Sequence, residues 1–67
     1  MSVAKVVEIK SSSSKSFEKA VENGIERASK TLKDIKGAWI AEQEVCVEDG
    51  KVTEFRVLMK VTFVLDG

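Results

Sequence analysis

The chain has 67 residues, 43% of them apolar and 33% charged, with 11 Lys and Arg set against 11 Asp and Glu. Such proportions describe a soluble globular domain without the positive excess that nucleic acid selects, and no apolar run reaches the roughly 18 residues of a membrane span. A single domain over residues 1–67 buries only about 60% of the surface its unfolded chain exposes.

Cys46 is the one cysteine and histidine is absent, so neither an internal disulfide nor a zinc centre can make up for the small core. Self-association is the remedy that remains. The N-terminus lacks the charged-then-apolar pattern of a signal peptide, and a lone thiol fits a reducing compartment, so a cytoplasmic location is expected.

In chain order, Val3 to Ile9 is rich in β-branched residues (Val3, Val6, Val7, Ile9) and reads as a strand. The serine run Ser11 to Ser14 follows, and Ser13 or Ser14 is positioned to cap a helix. From Phe17 the apolar residues Phe17, Ala20, Val21, Gly24, Ile25, Ala28 and Leu32 form one stripe of period 3.6, the mark of an amphipathic helix. Glu26 and Lys30 make a favourable i,i+4 pair, Lys33 and Lys36 suit the C-terminal end of the helix dipole, and Gly37 ends or follows the helix. Gly24 costs the helix about 1 kcal/mol relative to Ala. Its place inside the apolar stripe implies close approach of another backbone.

The remainder reads as a hairpin of Ala38 to Val47 and Val52 to Leu65 around Asp49-Gly50, a dipeptide favoured in tight β-turns. In the last strand Phe55, Val57, Met59, Val61, Phe63 and Leu65 alternate and should face the helix. Glu54, Arg56, Leu58, Lys60, Thr62 and Val64 form the opposite face, too mixed for open solvent and too polar for a core, which marks an interface. Ala38 and Ile40 differ in parity from Val45 and Val47, so a bulge near Glu42-Gln43-Glu44 is needed to keep both pairs on one side. A strand returned through a helix lies parallel to the second strand and antiparallel to the third. The expected class is α+β, a β-α-β-β unit with sheet order 1-3-2 partly wrapped around one helix.

Taken together, Val6-Val7-Glu8-Ile9, the serine cap, Ala20-Val21, Gly24-Ile25-Glu26-Arg27-Ala28, Thr31-Leu32, the Asp49-Gly50 turn and the run from Phe55 to Phe63 resemble the dodecins over nearly the whole chain. That resemblance implies a hollow homododecamer that stores or scavenges a flavin, riboflavin or FMN, stacked between tryptophans of adjacent subunits with a glutamine on the ring edge. No catalysis is implied. In this sequence Gly37 stands where the family places the stacking tryptophan, and Trp39 follows two residues later, on the same side of a strand. Arg56 stands at the glutamine position, and Glu44 where flavin binders often carry a basic residue. Glu42-Gln43-Glu44 with Arg56 is closer to a flavin-free branch of the family for which calcium, Ca2+, has been proposed.

The candidate ligand residues are thus Trp39, Arg56, Gly37, Gln43 and Glu44, with the site expected between subunits around Trp39 and Arg56 on the sheet face turned away from the helix. Trp39 offers a π-face for a flavin, or an anchor for a subunit interface. Arg56 offers a planar fork to a phosphate or ring carbonyl, or an ion pair to a carboxylate such as Glu54 of a neighbouring chain. Glu42, Glu44, Glu48, Asp49 and Glu54 read either as solvated acids or as oxygen ligands gathered by symmetry. With no histidine or tyrosine, and hydroxyls concentrated at a helix cap, an enzymatic role is not expected. Cys46, flanked by Val45 and Val47, reads as an inert thiol.

Overall fold

The computed structural model describes residues 3–65. Strand β1 (Val3–Ser13) leads into helix α1 (Phe17–Ala28), followed by β2 (Ile35–Glu48) and β3 (Lys51–Leu65). The sheet order is β1-β3-β2, with β3 antiparallel to both neighbours. This is the β-α-β-β arrangement that the sequence pattern implies.

The helix starts later than the serine run suggests. Ser11, Ser12 and Ser13 stay in β1 because the long β3 offers them partners in Val57, Arg56 and Phe55. The cap is Ser16, not Ser13 or Ser14. Its hydroxyl accepts from the Lys19 backbone N–H at 2.9 Å, an interaction that stabilises by about 0.5–2 kcal/mol relative to alanine. Ser13 instead accepts from the Lys15 N–H at 3.0 Å, holding the bend into the helix.

The helix also ends earlier than its apolar stripe. The hydroxyls of Ser29 and Thr31 bond back to the carbonyls of Ile25 and Ala28, at 2.8 and 3.4 Å. Such local bonds compete with helix continuation. Leu32 closes a final irregular turn onto the Ala28 carbonyl at 2.9 Å. Lys30 and Lys33 therefore lie beyond α1, Lys36 and Gly37 already belong to β2, and the pair on the helix is Lys19–Glu22 rather than Glu26–Lys30. The chain reverses at Asp34, whose φ is 58° and whose carbonyl accepts from the Val64 N–H at 3.1 Å.

The core forms where α1 lies across β1 and β3. Ala20, Val57, Met59 and Val61 are buried, with Val7, Ile9, Phe17, Val21, Ile25 and Ile35 packed around them. Phe17 meets Phe55 edge to face, with ring centroids 5.1 Å apart. Gly24 is the point of closest approach: a Cβ there would lie 2.5 Å from the Met59 methyl and 2.9 Å from Ser11 Cβ. The close neighbours are thus side chains of β3 and β1 in the same chain, where the sequence had implied another backbone.

The helix does not reach across the whole sheet. Twelve residues of helix span about 18 Å, whereas the molecule is 52 Å long. Its Cα radius of gyration of 13.8 Å exceeds the roughly 11 Å of a compact chain of this length. Along β2 only Ile35 and Cys46 are even half-buried. The hairpin itself is well specified, since Asp49 and Gly50 both have positive φ, 51° and 77°, as a type I′ turn requires.

The predicted bulge is present one residue earlier than expected, at Ala41, where the register shifts between Ile40 and Glu42. It places Ala38, Ile40 and Val45 opposite Val61, Met59 and Phe55, all on the helix side. Val47 does not join them. A second irregularity skips Thr53, whose hydroxyl bonds to the Cys46 carbonyl at 3.3 Å, and pairs Val47 with Val52 near the turn.

Candidate functional site

The sheet face away from α1 carries no element of the chain. Its middle strand presents Glu54, Arg56, Leu58, Lys60 and Thr62. Register sets Lys10 and Glu42 beside Leu58, Ser12 and Glu44 beside Arg56, and Glu8 and Trp39 beside Lys60. The Ala41 bulge gives Trp39, Glu42 and Glu44 a common face despite their unequal spacing. Gly37, opposite Thr62, lies on that face as well.

Two groupings result, and they are separate. At one end Arg56 donates from Nε to Glu54 Oε1 at 2.6 Å, and Lys10 Nζ lies 3.7 Å from Glu44 Oε1, reaching diagonally over β3. Shallow depressions flank Arg56, one bordered by Lys10, Ser12 and Glu54, the other by Lys10, Glu42, Glu44 and Leu58. The Glu54 hydrogen bond, with electrostatic support from Cys46, Glu54 and Glu44, raises the Arg56 guanidinium above its already basic range. It stays a cation. The Arg56–Glu54 pair expected across a subunit boundary forms here within one strand.

At the other end stands Trp39, 53% exposed, with Lys60 Nζ 5.3 Å from its ring centroid. From Lys60 to Arg56 is four residues along β3, about 13 Å. Trp39 and Arg56 therefore share a face without touching. Gln43 borders the Arg56 depression, although its register partner is the buried Val57 rather than a residue of the open face.

Lys10 was the least visible member of this surface in the sequence. Its position follows only once β1 is paired with β3 in the register that sets Lys10 beside Leu58. The signal that could have given its side of the strand is the spacing of Val7 and Ile9, which face inward. Cys46 lies beside the same grouping, its sulfur 3.9 Å from Glu54 Oε1. Among the described residues, no three acidic, cysteine or histidine groups of one chain converge as metal ligands. No helix among them is long and apolar enough to cross a membrane.

A three-stranded antiparallel sheet folded around one helix, with one open face of mixed charge and a single exposed indole, defines a small α+β subunit of the dodecin type. Residues 3–66 match the Dodecin family, and the chain belongs to that family. It is 38% identical over 64 residues to the calcium dodecin of Mycobacterium tuberculosis, covering 94% of this chain and 89% of that one.

Among solved structures it is similar to a dodecin from Streptomyces davaonensis, with 33% identity, a TM-score of 0.93, and coverage of 98% and 97% of the two chains. It is also similar to the crystal structure of the calcium-chelating antigen calcium dodecin from M. tuberculosis, described as having a novel calcium-binding site. There the identity is 32%, the TM-score 0.82, and the coverage 96% and 91%.

Proposed function

We propose that the chain is the subunit of a cytoplasmic homododecameric shell that holds a small planar ligand, riboflavin or FMN, on the open sheet face, and that it performs no catalysis. The observation that carries the ligand reading is Trp39. A large apolar ring left 53% exposed on a sheet face loses the burial that normally stabilises such a side chain, unless a ligand or a second copy covers it. Arg56 and Gly37 share that face, the first to meet a polar ring edge or phosphate, the second to leave room beside the indole. Near-zero net charge gives nucleic acid or an anionic membrane surface little to hold.

A second reading, calcium, is favoured by the likeness to proteins named calcium dodecins. The acids Glu42, Glu44 and Glu54 stand on the open face, but calcium takes six to eight oxygens. A single chain does not bring them together among the described residues. The cation would draw its ligands from more than one copy.

Titration of the purified protein with riboflavin and FMN, followed by quenching of flavin fluorescence, tests the first reading. Quenching is expected, and Trp39→Ala should weaken it while leaving the assembly intact. Tight quenching that survives Trp39→Ala would move the site elsewhere. Absence of quenching at high protein concentration, together with heat released on adding calcium, would favour the second reading.

A further inference from the structure

Lys60 is the centre of one rung of the open face, with Glu8 opposite it on β1 and Trp39 opposite it on β2. Its ammonium group goes to the indole, 5.3 Å from the ring centroid. Among the described residues no ion pair joins it to Glu8. The stem is half-buried between Leu58 and Thr62 on the same strand face, which keeps the charged end close to Trp39.

A ring that stacks on Trp39 competes for the π-face that this ammonium occupies. A neutral ligand displaces the charge and offers it nothing. A ligand with an anionic group a few atoms from its ring gives the displaced ammonium a new partner. We infer that Lys60 sets the specificity of the Trp39 site, favouring planar aromatic ligands that carry a phosphate or similar anion over neutral ligands with the same ring. The inference rests on the reading of Trp39 as a stacking platform.

FMN and riboflavin share one ring system and differ by a phosphate, so their affinities isolate the effect. Flavin-fluorescence titrations of the parent, Lys60→Gln and Lys60→Arg make the comparison, with gel filtration and the emission of the single tryptophan checking that each variant is assembled. The parent should bind FMN about two- to five-fold more tightly than riboflavin. That preference should vanish in Lys60→Gln, persist in Lys60→Arg, and fade as salt rises well above about 0.15 M. Equal affinities in the parent, or a preference that survives Lys60→Gln, would overturn the role of Lys60 and leave the stacking platform standing. Quenching of neither flavin would overturn both.

Discussion

Gly24→Leu should leave little folded protein, and whatever folds should melt at least 8 °C below the parent, about what 1–2 kcal/mol shifts a domain of this size. The first atom of the new side chain is already too close to Met59 Cε, at 2.5 Å, and to Ser11 Cβ, at 2.9 Å. Met59 is fully buried, and its methyl must move aside before the new side chain fits. Ser11 Cβ is fixed to a strand paired with Val57. Overpacking of this kind costs about 1–3 kcal/mol, a large part of the roughly 3–5 kcal/mol that a core of this size supplies.

Helix propensity runs the other way, favouring leucine over glycine by up to about 1 kcal/mol. A fall in stability therefore isolates the packing cost. Thermal melts by circular dichroism give the answer, and a variant that melts with the parent would show that α1 does not sit as close to β1 as the structure has it.

Placing aspartate at Ile40 and Val45 together should break the proposed assembly. Both side chains share the helix-side face with the core yet lie beyond the helix, 38% and 40% exposed. The proposed shell would cover that strip with a neighbouring copy, and two buried unpaired carboxylates would each cost several kcal/mol. Gel filtration should show loss of the large species, with the released subunits partly unfolded by far-ultraviolet circular dichroism because the core is small. Glu26→Gln, on the solvent side of α1, serves as the control and should leave the elution unchanged. If the double variant elutes like the parent, the strip is not an interface.

Those two sites also show how far the sequence could be read. Gly24 inside an apolar stripe announced a close approach, because nothing else justifies glycine at that place in a helix. The parity conflict of Ala38 and Ile40 with Val45 and Val47 announced a bulge, although only Val45 of the second pair joins the helix side. Strand order followed from connection rules, since β1 must return through α1. The helix ends were less legible. The sequence pointed to Ser13 or Ser14 as the cap, and only the length of β3 decides that the first three serines of the run are paired and Ser16 does the capping.

The C-terminal end hid its cause in Ser29 and Thr31, whose hydroxyls take the carbonyls that another turn would use. Of the candidate ligand residues, the register sets Trp39, Arg56, Glu44 and Gly37 on one face and Gln43 opposite the buried Val57. Alternation carries no information on distance along the strand. The separation of the Trp39–Lys60 pair from the Arg56–Glu54 pair, and the entry of Lys10 from β1, came only with three-dimensional register.

The claim on which the rest depends is that this chain works as a closed assembly and not as a lone domain. Sedimentation equilibrium or native mass spectrometry of the unmodified protein at micromolar concentration measures this directly. Twelve copies of 7.4 kDa predict a species of about 89 kDa, with no appreciable free subunit. A stable, folded monomer of 7.4 kDa under the same conditions would contradict the account, since the open face and the bare length of β2 would then be in permanent contact with water.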